Sequence, residues 1–189
     1  SQESSELVTN GGFDTDSDWN KTQATISNGV ANISSDGSYA AIDQGNVSVI
    51  GKTYLYSIDV KSIIGTLQIR LGSGTDVDIT TVGVKTGYIV ANSTTLEIKR
   101  KAGAGAINAT IDNVSVKEVG QDWTLTGTAT ITNNQANINS PSGQNAEIYQ
   151  SSILTIGKKY KLDCTLNKTS GDTQFVNGGT FILNNGTDK

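Results

Sequence analysis

The chain has 189 residues, 14 Lys+Arg against 18 Asp+Glu, and a net charge of −4, so it lacks the basic face that gripping nucleic acid requires. His is absent and Cys164 is the single cysteine, which excludes Ser-His-Asp and Cys-His nucleophilic sites, His- or Cys-ligated zinc and an internal disulfide framework. No run approaches the roughly 18 apolar residues of a membrane-spanning helix, and Ser, Thr, Asn and Gly fill the space left by few charges, a composition of strands and turns.

In chain order, Ser1-Gln2-Glu3-Ser4-Ser5-Glu6 reads as a polar N-terminal segment without a secretory signal. Asp14-Thr15-Asp16-Ser17-Asp18 imitates the first half of an EF-hand loop, but Trp19 stands where that loop needs Gly and Thr25 where it needs Glu. These acids are read as turn or cap residues. Asn28-Gly29, Asp36-Gly37 and Gly72-Ser73-Gly74 are turn signals between short runs. Tyr54-Leu55-Tyr56-Ser57-Ile58-Asp59-Val60 alternates with period two, as do Leu67–Leu71, Thr95–Lys99 and Val114–Val119. Such alternation predicts half-buried antiparallel strands, apolar inward and polar outward. No segment carries a 3.6-residue stripe, so the fold class is all-β.

The same motifs return about 104 to 106 residues later. Asp18-Trp19-Asn20 recurs as Asp122-Trp123-Thr124, and Val30-Ala31-Asn32-Ile33 as Gln135-Ala136-Asn137-Ile138. Ala24-Thr25-Ile26-Ser27-Asn28 matches Thr128–Asn133 with one residue inserted, and Ile42-Asp43-Gln44 matches Ile148-Tyr149-Gln150. Ile50-Gly51-Lys52-Thr53-Tyr54 matches Ile156-Gly157-Lys158-Lys159-Tyr160, and Gly65-Thr66-Leu67-Gln68 matches Gly171-Asp172-Thr173-Gln174. A repeat of this length signals tandem modules. The first spans residues 7–119 and the second 120–189, each a sandwich of about eight to ten strands. The second copy reaches only the counterpart of Gly83 at Lys189, so it is incomplete in this chain; further chain, or strands from another subunit, would complete it, and continuation is the simpler.

Asn10-Gly11-Gly12-Phe13-Asp14 followed by Trp19 resembles the opening of jelly-roll carbohydrate-binding modules of families 4, 9 and 22, and Ile111-Asp112-Asn113-Val114-Ser115-Val116 resembles their closing strand. The resemblance covers the whole first copy. It implies a non-catalytic glycan-binding role and a structural Ca²⁺ held by Asp14 and Asp112 with nearby backbone carbonyls, although Asp14 is shorter than the usual Glu and Asn113 replaces a second Asp. Tandem, Asn- and Thr-rich modules of this kind look most like those of bacteriophage tail- and head-fibre proteins. That likeness implies a virion location, other virion proteins as partners, host-surface glycans as ligands and a multi-copy or homo-oligomeric assembly. Two other settings stay open: a purely architectural docking module, or the accessory module of a secreted polysaccharide-degrading enzyme.

Sugars stack on exposed aromatic faces and bond to amides, guanidinium groups and carboxylates. The aromatic candidates are Trp19, Tyr39, Tyr56 and Tyr88, with Gln44, Gln68 and Arg70 as polar partners. The repeat sorts them. Trp19 and Tyr54 recur as Trp123 and Tyr160, which assigns each pair to the shared fold as core or loop anchors and expects Trp19 and Trp123 in like surroundings. Tyr56 falls opposite Leu162, a core substitution, whereas Tyr39 falls opposite Gln144 or Asn145 and is the best platform. The glycan-binding set is therefore Tyr39, Gln44, Arg70 and Tyr88. Asp76 and Asp78 share a face without a sign of desolvation, so no glycosidase pair is assigned. Cys164, opposite Ile58, is read as a small buried hydrophobe.

Overall fold

The computed structural model describes residues 3–120, 123–132, 135–141, 144–176, 180–183 and 186–188, with side chains described as far as residue 175. The repeat members Gln121, Asp122 and Asn133 lie outside them. No helix occurs among the described residues, and so none crosses a membrane. The chain's contacts divide it into two compact units, Ser1–Tyr149 and Gln150–Lys189.

The first copy contains ten strands: β1 (Asn20–Thr22), β2 (Ala24–Ser27), β3 (Val30–Ser35), β4 (Ala41–Gln44), β5 (Thr53–Ile64), β6 (Leu67–Arg70), β7 (Val77–Ile79), β8 (Gly83–Val90), β9 (Leu96–Arg100) and β10 (Ile107–Glu118). They form two five-stranded antiparallel sheets, in the orders β1-β4-β9-β6-β7 and β2-β3-β10-β5-β8. Period-two alternation gives each sheet one apolar face. Ile42, Leu67, Ile69, Leu96 and Ile98 from the first sheet are fully buried, as are Ile33, Tyr54, Ile58, Ala109 and Ile111 from the second. They join one core cluster, which Phe13 and Trp19 complete.

The polar N-terminal segment belongs to this unit. Where β3 stops covering β10, residues 3–8 take its place: Ser4 N donates to Glu118 O (2.9 Å) and Leu7 N to Val116 O (3.1 Å). The Glu6 carboxylate then accepts from Val8 N, from Val116 N (2.8 Å) and from the Ser115 hydroxyl. The following Gly11-Gly12-Phe13 turn lies against the closing strand, where Val114 N donates to Gly11 O (2.8 Å). A β-carbon on Gly11 would fall 2.0 Å from Val114 O, so this opening motif requires glycine by close approach.

The second copy opens with β11 (Thr124–Thr126), β12 (Thr130–Thr132), β13 (Gln135–Asn137) and β14 (Glu147–Tyr149). Their registers reproduce the first copy. Asn20 faces Asp43 and Lys21 faces Ile42 between β1 and β4; their counterparts Thr124 and Leu125 face Tyr149 and Ile148 between β11 and β14. Ile26 faces Ala31, and Ile131 faces Ala136, in the two hairpins.

The unit Gln150–Lys189 holds β15 (Cys164–Leu166), β16 (Thr173–Val176), β17 (Thr180–Leu183) and β18 (Gly186–Asp188), paired as β15–β18 and β16–β17. Its turn repeats an anchor from the first copy. Tyr54 Oη accepts from Val49 N at 2.8 Å, and Tyr160 Oη accepts from Thr155 N at 2.7 Å, around Gly51 and Gly157 at φ +86° and +82°.

Two expectations fail. Trp19 is 6% exposed and packs on Phe13 at 5.4 Å between ring centroids, whereas Trp123 is 44% exposed. The two tryptophans therefore do not share surroundings, because the second copy has no Gly-Phe-Asp opening to supply a partner ring. Cys164 is only half-buried, on a strand paired with β18, and not a core residue.

Candidate functional site

In the sheet β1-β4-β9-β6-β7, Ile42, Ile98 and Ile69 point into the core, so the residues on either side of each point outward. Register then lines up two polar rows across the strands. One runs Asn20, Asp43, Glu97, Arg70; the other runs Thr22, Ala41, Lys99, Gln68, Asp78.

The first row carries two bonded groups, one at Asn20 and Asp43 and one around Glu97. Asn20 Nδ2 donates to Asp43 Oδ2 at 2.8 Å. Glu97 receives the guanidinium of Arg70 and the hydroxyl of Tyr39. Asp76 sits beside the Arg70 guanidinium (3.6 Å) and the Lys99 ammonium (3.5 Å). Tyr39 precedes β4 on the same outward face, next to the small Ala41, and the residue remains 53% exposed. Burial, the bond to Glu97 and the charge of Glu97 push its hydroxyl up to about 12. In the second row, Lys101 and then Gln68 hold the Asp78 carboxyl below its ordinary value. Asp76 and Asp78 thus each face cations, not one another, and β7 is an edge strand.

At the Arg70 end of this face lies an open pocket of about 360 Å³. Arg70 and Glu97 form one side, the turn after β6 contributes Gly72 and Ser73, and the β8–β9 connection contributes Asn92, Ser93 and Thr95. Asn92 Nδ2 donates to Ser73 O and ties the two loops together. Gly72, at φ +104°, lets them meet; a β-carbon there would land 1.7 Å from Asn92 Oδ1.

Of the residues singled out from sequence, Tyr39 and Arg70 are brought together on Glu97, while Gln68, on the same sheet face, is buried with its amide donating to Asp78 at 2.8 Å. Gln44 departs from its assignment. It is 8% exposed, accepts from Thr9 N (2.8 Å) and donates to Thr9 O (2.9 Å) and Asp18 O (3.0 Å), so its amide is spent on anchoring the 9–18 loop. Its recurrence as Gln150 is the same sign that marks Tyr54 as a fold residue. Tyr88 is also apart: it faces Leu55 on β8, the edge of the other sheet. Tyr56 is buried, as its exchange with Leu162 indicates. Glu97, the acid that joins Tyr39 to Arg70, was missed. Alternation places it outward in Leu96-Glu97-Ile98, but only the β6–β9 register puts it opposite Arg70.

The calcium pair implied by resemblance does not find matching surroundings. Asp112 lies on the outer face of the second sheet, opposite Asp59, with the Lys61 ammonium 3.4 Å from its Oδ2. Its oxygens also accept from Asn113 N (2.7 Å) and Asn113 Nδ2 (3.1 Å). Asp14 is exposed, and among the described residues no three acidic or cysteine side chains gather around a point that would hold a metal ion. A hard cation asks for six to eight oxygens, and Asp112 is already satisfied by N–H donors. These residues do not fit the site.

Comparison with known proteins finds no matching family model and no matching curated protein. Solved structures are similar over about three fifths of the chain. A structure described as CBM4 is 16% identical, covering 59% of this chain and 99% of its own, with a TM-score of 0.36. The N-terminal cellulose-binding domain of Cellulomonas fimi beta-1,4-glucanase C is 15% identical, covering 59% and 95%, with a TM-score of 0.38. The enzymatically active domain of bacteriophage CBA120 tailspike protein 4 is 16% identical, with 60% of this chain matching 21% of that one at a TM-score of 0.39. Likeness at this level assigns no function; the chain's own residues have to carry it.

Proposed function

We propose that the first copy is a non-catalytic glycan-binding module whose site is the outer face of the sheet β1-β4-β9-β6-β7, centred on Tyr39, Glu97 and Arg70. The observation that carries this reading is the half-exposed Tyr39 held against an acid–guanidinium pair on a polar face. An aromatic plane beside fixed donors and acceptors is what a sugar ring uses, its C–H face on the aromatic and its hydroxyls on the polar groups. The acids of this face are engaged by cations, tyrosine or amide groups, which suits recognition and leaves no unpaired carboxyl among them for acid catalysis.

One aromatic platform gives weak binding per copy, so the module works through many copies on one particle, where tethering multiplies affinity. A virion fibre or decoration protein that touches host-surface glycans meets that need, and it is the setting proposed for this chain. The accessory module of a secreted polysaccharide-degrading enzyme would use the same face.

The test is a glycan array probed with the full chain and with Tyr39→Ala. The expected result is binding that the substitution abolishes while the melting temperature stays within a degree or two of the parent. Unchanged binding by the variant would remove this face as the site.

A further inference from the structure

From the pocket beside Arg70 we infer that the ligand is the end of a neutral glycan chain, and that its terminal sugar is held by hydrogen bonds and not by stacking. This rests on the glycan-binding reading above and says which sugars that site takes.

Three features carry it. The open pocket at the end of the polar face is bounded opposite Arg70 and Glu97 by two tied loops: the turn at Ser73 and the β8–β9 connection at Asn92 are joined by the Asn92 side chain. A chain lying along the face toward Arg70 meets this wall. At about 360 Å³ the pocket sits at the small end of ligand sites, which run from roughly 300 to 1,000 Å³. It has room for a chain end and not for a long run of sugars.

Its lining is also free of aromatic side chains. The hydroxyls of Ser73 and Thr95 and the Asn92 amide oxygen have no hydrogen-bond partner among the described residues, so they remain open to hydroxyls of a ligand. Charge then selects among sugars. Arg70 is the cation of the pocket, and Glu97 and Asp76 both face it. An anionic sugar would have to displace those acids from Arg70 and would meet the Glu97 carboxylate in the lining, whereas a neutral sugar can donate to Glu97 and accept from Arg70 without disturbing either.

The experiment titrates the full chain, followed by amide NMR and calorimetry, with methyl glycosides of glucose, galactose, mannose and N-acetylglucosamine, their oligomers up to the hexamer, and the matching uronic acids. The parent is compared with Tyr39→Ala, Ser73→Trp and Glu97→Gln. Ser73 is exposed, so an indole there fills the pocket without entering the core. The inference expects a neutral sugar to shift the Ser73, Asn92 and Ser93 amides and its affinity to level off by the dimer. Ser73→Trp should weaken binding at least tenfold at an unchanged melting temperature. Glu97→Gln, which removes one of the two acids facing Arg70, should move preference toward the uronic acid. Affinity that climbs with every added sugar and ignores Ser73→Trp, while Tyr39→Ala still abolishes it, overturns the pocket and leaves the glycan reading standing. Stronger binding of the uronic acid by the parent overturns the neutral class. Binding of none of these sugars overturns the inference whatever Ser73→Trp does, and together with a glycan array unaffected by Tyr39→Ala it takes the glycan reading down as well.

Discussion

A tyrosine that donates to a carboxylate loses the bond when it ionises, so the Tyr39 hydroxyl reports on its own network. In the unfolded chain it titrates near 10; in the folded chain, burial first and then the bond and charge of Glu97 push it up to about 12. Between those values the native state keeps a proton that the unfolded state has released. The contribution to stability is therefore complete below pH 10 and is lost as the pH rises toward 12. The difference in ultraviolet absorbance between the parent and Tyr39→Phe, recorded after rapid pH jumps, isolates this residue from the other tyrosines. Its midpoint should lie well above 10; a midpoint at 10 would mean that Glu97 does not hold the hydroxyl. At this scale much was legible from the repeat alone: Tyr56, exchanged for Leu162, is buried, and Tyr39, exchanged for an amide, is exposed. The partner was not legible, because Glu97 meets Tyr39 across 58 residues of chain.

Elements whose geometry is set locally were readable. Asn28-Gly29 takes φ +54° and +72°, the left-handed pair that a two-residue hairpin needs, and it joins β2 to β3. The N-terminal strap was not readable, since Ser4, Ser5 and Glu6 show no alternation and adhere to β10 through backbone groups, the Ser4 hydroxyl and the Glu6 carboxylate. Glu6 is the clamp: its oxygens accept from Leu7, Val8 and Val116 amides and the Ser115 hydroxyl. Val116 is fully buried, so its amide has no water to turn to if the carboxylate is removed. Glu6→Ala should cost about 1–3 kcal/mol, the penalty for leaving buried donors unmet. Hydrogen exchange should quicken by tenfold or more at Val8 and Val116 and stay as in the parent along β8, which the strap does not touch. Unchanged exchange at Val116 would show that backbone pairing alone retains the strap.

The whole molecule is a question of where the core ends. Every residue of the core cluster lies between Val8 and Val116, and both chain ends of that stretch are fastened to each other along β10. Beyond it, only Val119, Ala129 and Ile131 are buried apolar residues among those described. The repeat was visible in sequence because its matched pairs, such as Ile26–Ala31 and Ile131–Ala136, are hairpin neighbours fixed by short loops. The sheet order was not visible. Pairing β4 with β9 brings Ile42 to Ile98, and pairing β3 with β10 brings Ala31 to Ile111, contacts that no local pattern encodes. Those long-range pairs all close within the first copy, so the first copy should fold without the second. A fragment of residues 1–119 is expected to melt in one cooperative transition, to give amide spectra that overlay those of the full chain for β3 to β10, and to retain glycan affinity within twofold. It forgoes residues 120–149, which the chain's contacts group with the first copy in one compact unit, but none of them belongs to the core cluster. A fragment that stays unfolded, or that melts without cooperativity, would mean that the sandwich draws part of its stability from residues after Val119, and that the two copies are halves of one folding unit.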